Sequence, residues 1–100
     1  HAGRGQEPPN GGEQLAIIIT NKKEAVADRL MSDLRRGVTA LHGVGMYTGR
    51  TRDVLLCALT VSQESALRAA VNDSDPDAFL ILTGARDIRG LGFAPSEPPD

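Results

Sequence analysis

Two short apolar runs limit most tightly what this chain can fold into. The first is Leu15 to Thr20, and the second lies within Asp53 to Val61. In both runs apolar residues occupy odd and even positions alike, and the first is rich in isoleucine. A strand with one face in water alternates apolar and polar side chains, whereas a strand covered on both faces is apolar throughout. The sequence therefore predicts two central strands that need cover on both sides.

Two helices are predicted between the strands. Asn21 is expected to cap a helix over Lys22 to Arg36, which has an apolar stripe at helical spacing and is ended by Gly37. Ser62 is expected to cap a second, shorter helix. That helix ends before a turn at residues 72–77, because the proline in this turn cannot continue a helix.

Further strands are predicted at Val38 to Leu41 and Ala78 to Thr83, with a glycine-rich loop over Gly43 to Arg52 and a short edge strand possible within residues 85–93. The resulting order, β-α-β-β-α-β, predicts an α+β fold of the ferredoxin-like split βαβ type. Its four-stranded antiparallel sheet has two helices on one face and its first and third strands at the centre. Because the helices cover one face only, we expect a homo-oligomer that forms through the open face.

The 100 residues correspond to a single domain, which we place at residues 14–93. Residues 1–13 and 94–100 are rich in glycine, proline and acidic residues and are expected to be flexible tails. The chain begins at His1 without an initiator methionine, so we expect a further segment before it in the natural protein. Whether His1 is native is left open.

Charge and aromatic content argue against binding to nucleic acid. The formal net charge is −2, without the basic excess that binds phosphate backbones. Aromatic residues make up 3% of the chain, and none lies in the two central runs, where RNA-binding domains of this topology stack bases.

Catalytic and metal-binding residues are few. His42 and Cys57 show no arrangement typical of a base and its nucleophile, so no catalytic residue, enzymatic activity or cofactor is expected. Asp73, Asp75 and Asp77 alternate as in a calcium loop, but the required glycine and distal glutamate are missing. No metal site is therefore expected, and Cys57 is expected to be a buried thiol.

A small anionic or nucleotide ligand is the remaining hypothesis. Glycines can expose backbone N–H groups, and nearby arginines can supply charged donors. The candidate residues are Gly43, Gly45, Tyr47, Thr48, Gly49, Arg50, Arg52, Arg86 and Arg89. The alternative is a hairpin whose glycines only satisfy turn geometry and whose arginines are solvated or paired with Asp53 and Asp87. Tyr47 could contact a ligand or cover the apolar side of the loop.

Four segments together resemble a known family. They are Arg36 to Gly49 with its repeated glycines, Val54 to Cys57, Asp75 to Phe79, and Gly90 to Phe93. The resemblance is to the C-terminal domain of YitT-type bacterial membrane proteins, a domain of unknown function, and it covers roughly residues 16–93.

This resemblance implies a membrane protein in which the domain follows transmembrane helices and faces the cytoplasm. It also implies a ferredoxin-like or PII-like fold. PII-like proteins carry a regulatory arm between the second and third strands, so the resemblance suggests a regulatory or ligand-sensing role for residues 43–52. A structural oligomerisation module without a ligand is the alternative. Family members often have an acidic residue near Val44 and a lysine near Arg52, so the charge balance of this loop differs from theirs.

Overall fold

The computed structural model describes residues 12–85. In chain order its elements are β1 (Glu13–Thr20), α1 (Lys23–Leu34), β2 (Thr39–Val44), β3 (Thr51–Thr60), a 3-10 turn (Val61–Gln63), α2 (Glu64–Ser74) and β4 (Phe79–Gly84). The predicted tails lie outside the described residues, apart from positions 12 and 13. The possible edge strand lies outside them except for Ala85, so this element and the proposed domain limits stay predictions.

The four strands form one antiparallel sheet in the order β2-β3-β1-β4. The prediction of an α+β, ferredoxin-like split βαβ fold is confirmed. The two apolar runs form the central strands β1 and β3, as their side-chain pattern requires.

The helices α1 and α2 pack against one face of the sheet and against each other. The core between the layers is nearly free of aromatic residues and is made of Leu, Ile, Val, Ala and one Cys. Its members are Ala16, Ile18, Val26, Leu30, Leu34, Leu55, Cys57, Leu59, Leu67, Ala70 and Val71. Alternate residues of β1 and β3 belong to this core, and the residues between them point to the other side of the sheet.

Both ends of α1 differ from the prediction. Asn21 is not the N-cap: the helix is preceded by Lys22, and no side chain caps it. The hydroxyl of Thr20 instead accepts a hydrogen bond from the Lys22 amide at 2.9 Å. At the other end, Arg35 rather than Gly37 closes the helix, with left-handed backbone at φ 57°. A non-glycine residue seldom takes this conformation, which is why the sequence pointed to the glycine.

The start of α2 also differs, because Ser62 lies within the 3-10 turn and α2 follows Gln63 without a side-chain cap. Thr60 and Gln63 form a capping box at the start of that turn. The Gln63 side chain accepts hydrogen bonds from the Thr60 amide and from Nε of the buried Arg36, both at 3.1 Å. It also donates to the carbonyl of Leu34 at 3.1 Å. Gln63 thus joins the end of α1 to the start of α2, a contact between residues distant in sequence.

Candidate functional site

The glycine-rich segment forms the β2–β3 hairpin, and its regular part is longer than predicted. Gly43 and Arg52 are not in the loop but face each other across the two strands. The connection itself therefore runs only from Gly45 to Arg50. Glycine can adopt the extended backbone of a paired strand, so Gly43 does not end β2.

The backbone amides of both glycines in this connection, and that of Arg50, are used within it. The amide of Gly45 donates to the carbonyl of Arg50 at 2.8 Å, and that of Gly49 donates to the carbonyl of Gly45 at 2.6 Å. The Thr48 hydroxyl accepts from the Arg50 amide at 3.2 Å. Gly49 has φ +73°, so it serves turn geometry. These bonds favour the hairpin alternative over an anion cradle made of glycine amides.

The side chains at the hairpin end project into solvent. Tyr47 is fully exposed and therefore does not cover an apolar side of the loop. Thr48 and Arg50 are exposed as well. The candidates Arg86 and Arg89 lie outside the described residues.

Arg52 differs from Arg50 in its environment. It is half-buried on β3, and within residues 12–85 its Nε atom is buried without a hydrogen-bond partner. The opposing Gly43 has no side chain, and a Cβ there would contact Cγ2 of Val54 at 3.4 Å and the carbonyl of Arg52 at 3.6 Å. Among the candidate ligand residues within residues 12–85, Arg52 is thus the one whose side chain has a buried N–H donor without an acceptor.

His42 lies on the hairpin beside Asp53 rather than beside a nucleophile. Its Nδ1 is 3.0 Å from Oδ1 of Asp53, and Nζ of Lys23 approaches the same oxygen at 3.9 Å. This group holds the hairpin to the start of α1. The imidazole is exposed, so the pair is open to solvent.

A buried polar contact links the end of β1 to the end of α2. The Thr20 hydroxyl donates to the Asp75 carboxylate at 2.5 Å, and the other carboxylate oxygen accepts from the Asp77 amide at 3.1 Å. The hydrogen bond from Thr20, aided by the Asp77 amide and by Lys22, lowers the pKa of Asp75 against the opposing effect of burial. Asp75 therefore serves the fold, and residues 12–85 hold no cluster of three or more potential metal ligands.

The side of the sheet opposite the helices, the open sheet face, is largely apolar in the described chain. Directly opposed residues share a face, so the register of the sheet defines it in rows, of which the first two cross all four strands and the third crosses β3, β1 and β4. One row is Leu41, Val54, Ile19 and Phe79; the next is Thr39, Leu56, Ile17 and Ile81; the third includes Leu15, Ala58 and Thr83. Phe79 is 58% exposed and Leu41 49%, so at the margins large apolar side chains meet water.

One acidic residue of this face escaped the sequence prediction. Glu13 has the same strand parity as Leu15 and lies opposite Thr60, beyond the third row. Arg52 has the same parity as Val54 and lies beyond the first row. The open sheet face is therefore apolar and neutral through three rows, with an arginine at one end and a glutamate at the other. Sequence alternation could have placed Glu13 on this face only if β1 had been predicted to begin two residues before Leu15.

Comparison with known proteins assigns the chain to a family. The sequence profile of DUF2179, described as an uncharacterized protein conserved in bacteria, matches residues 36–90. The chain belongs to the DUF2179 family. The match begins at the buried Arg36 and includes the whole hairpin, α2 and β4.

DUF2179 relatives include membrane proteins of Bacillus. The chain is 39% identical over 83 residues to an uncharacterized protein in the cccA 5'region of Bacillus sp. (strain PS3), of which it covers 55%. It is 34% identical over 82 residues to the UPF0750 membrane protein YpjC of Bacillus subtilis, of which it covers 28%. YitT of the same species is also similar, at 24% identity, which confirms the resemblance inferred from the motifs. The chain thus spans about half of the first relative and little more than a quarter of the other two.

A solved DUF2179 structure has the same fold. The protein from Eubacterium ventriosum superimposes with a TM-score of 0.60 at 31% identity, over 71% of this chain and 97% of that one. In the chain described here, neither helix within residues 12–85 is long and apolar enough to cross a bilayer.

Proposed function

We propose that this chain is a cytoplasmic assembly domain, in which a second copy covers the open sheet face and thereby joins the membrane proteins to which such domains belong. The observation that carries the proposal is the three-row apolar surface on the side of the sheet without helices. Contiguous apolar patches of this kind are rare on monomers and mark sites of association. Association rather than catalysis is the function proposed.

The size of the face is sufficient for a dimer. Along the strands, the row of Arg52 lies eight residues, or about 27 Å, from the row of Thr60. Across the strands, the four-stranded sheet is about 19 Å wide. Each copy then covers about 500 Å², or about 1,000 Å² for the pair, which reaches the lower range of specific interfaces. Because the covered rows are apolar, their burial supplies the main driving force.

Sedimentation equilibrium of the 100-residue chain tests the proposal. A dimer at micromolar concentration is expected, and Ile81→Lys is expected to shift it to monomer, because a charge in the second row would have to be desolvated. Met46→Lys is the matched control, since Met46 is a solvent-exposed apolar residue at the hairpin end. A wild-type chain that is monomeric at 100 µM would refute the assembly function.

A regulatory role in sensing a small anion is the second candidate, and it is supported by Arg50. Arg50 is the exposed last residue of the hairpin connection, and its amide donates a hydrogen bond to the Thr48 hydroxyl. Nucleotides and phosphorylated metabolites are expected to raise the melting temperature if they bind the folded state, and Arg50→Ala should remove the shift. Lys22→Ala, which removes an exposed cation away from the hairpin, is the control. The absence of a shift across the panel would count against sensing.

The cytoplasmic placement draws support from the family resemblance and from Cys57, the single cysteine of the chain. A cysteine introduced into a full-length membrane relative, at the position that aligns with the exposed Met46 of this chain, provides the test. It should be labelled by an impermeant maleimide in inverted vesicles and stay unlabelled in intact cells. Labelling in intact cells would overturn this placement.

A further inference from the structure

We infer that each strand of one copy runs in the opposite direction to the same strand of the second copy, so that Arg52 of each copy meets Glu13 of the other at the ends of the open sheet face. This inference rests on the proposed assembly function and specifies how the second copy is oriented. It follows from three observations: the positions of the two charges, their lack of partners, and the symmetry of the face.

The two charges lie at opposite ends of the same surface. Arg52 is two residues before Val54 on β3, and Glu13 is two residues before Leu15 on the neighbouring, antiparallel β1. Between them lie the three neutral rows. Because β3 and β1 are adjacent, Glu13 is offset by only one strand spacing, about 5 Å, from the line of β3. An arginine side chain spans that offset.

Both charges lack a partner within the described chain. Among residues 12–85 neither Arg52 nor Glu13 forms an ion pair, and Nε of Arg52 is buried without a hydrogen-bond acceptor. Both residues are half-buried already. A second sheet laid over the face would desolvate them further, which is costly unless each meets an opposite charge. A carboxylate of the second copy pairs with the part of the Arg52 guanidinium that is still accessible.

Symmetry then selects one orientation. A two-fold axis that lies in the interface and crosses the strands reverses their direction, so each arginine end covers a glutamate end, and the contact occurs twice. An axis parallel to the strands places both arginines at one end and both glutamates at the other, which leaves like charges together. The row midway between Arg52 and Glu13 is that of Ile17 and Ile81, so the axis passes there. In this arrangement Ile81 faces Ile81 of the second copy.

Charge reversal tests the pairing. Arg52→Glu and Glu13→Arg are each expected to weaken the dimer about tenfold or more, because each places like charges together. The double variant restores the pair in swapped form and should dimerise within about threefold of the wild type. Arg50→Glu, an exposed charge change outside the face, is the control. Circular dichroism of each variant confirms that it is folded.

Cysteine cross-linking tests the orientation independently of charge. With a short bis-maleimide cross-linker, which suits the spacing of about 10 Å between stacked sheets, Ile81→Cys alone should form a covalent dimer. The parallel-axis arrangement would instead join Ile81→Cys to Thr39→Cys. The native Cys57 lies in the core on the opposite side of the sheet and does not compete. Cross-linking only in the mixed pair, or single reversals that leave dimerisation unchanged, would overturn the orientation while the assembly function stands. A monomeric or trimeric wild type would overturn the two-fold arrangement itself, and a monomer would overturn the assembly function too.

Discussion

Cys57 lies on β3 beneath the helices, with 1% of its surface exposed. Burial raises the pKa of its thiol to about 11, an effect that the nearby Arg36 reduces in part. Because the thiolate is the reactive form, we expect almost no reaction with a disulfide reagent at pH 8 until the protein unfolds. In Met46→Cys, one thiol should react at once and the second only in denaturant. Rapid modification of the wild type in native buffer would contradict this burial.

The buried contact of Asp75 with Thr20 gives a pH-dependent contribution to stability. The folded-state pKa of Asp75 lies below the unfolded value near 3.8, so the folded protein favours the ionised form. The contribution is therefore complete above the unfolded pKa and is lost as the pH falls through that value toward the folded pKa. Asp75→Asn is expected to lower the free energy of unfolding by about 1–3 kcal/mol at pH 7.

Urea denaturation at pH 7 and at pH 3 checks the prediction for Asp75. The variant should lose less stability than the wild type between the two values, because it lacks the titrating group. Asp77→Asn, at an exposed position two residues away, should change the free energy of unfolding by less than about 0.5 kcal/mol. Parallel pH profiles for the wild type and Asp75→Asn would show that the contact does not act through the carboxylate.

At the scale of elements, the end of α1 is the position where the sequence is least suited to its backbone. Arg35 has φ 57°, a conformation that costs a residue with a Cβ about 1–2 kcal/mol and costs glycine little. Part of the gain from Arg35→Gly is offset by the greater freedom of glycine in the unfolded chain. We therefore expect a net stabilisation of about 0.5–1 kcal/mol.

Thermal unfolding measures this change, and a rise of about 4 °C is expected for a domain of this size. Arg35→Ala is the matched control, because it removes the side chain but keeps the Cβ in the left-handed region. If the alanine variant is stabilised as much as the glycine variant, the effect lies in the side chain and the backbone argument is wrong.

The type and order of the helices and strands could largely be predicted from the local sequence pattern, but the residues at which they begin and end could not. Ser62 is an acceptable helix cap by residue type, but in the folded chain it lies within the 3-10 turn, whose capping box is formed by Thr60 and Gln63. Gln63 also accepts a hydrogen bond from Arg36, a contact between residues that are distant in sequence. Likewise, the local sequence is compatible with Gly43 in a loop or in a strand, and its pairing with Arg52 places it in the strand. Local propensity leaves such choices nearly equal in free energy, so tertiary contacts decide them.

At the scale of the whole molecule, the proposed association through the open sheet face would link stability to concentration. A dimer that forms only from folded chains stabilises the folded state by mass action. The melting temperature of the wild type is therefore expected to rise by several degrees between 1 µM and 100 µM chain. Differential scanning calorimetry across this range measures it. The curve for Ile81→Lys should be flat, and a flat curve for the wild type would argue against a dimer.

The sequence by itself determined the order of elements, the two central strands and the presence of a sheet face that the two helices do not cover. These follow from side-chain alternation, which is a property of neighbours along the chain. Only the tertiary structure decided that Thr20 binds Asp75, 55 positions away, and that Glu13 and Arg52 occupy opposite ends of one apolar surface. Such contacts depend on strand register, and a shift of one residue would move each side chain to the other face. The glycine-rich hairpin illustrates the difference: its composition predicted a turn, but only the fold showed that the amides of Gly45 and Gly49 bond within that turn while Arg52 lies on the sheet.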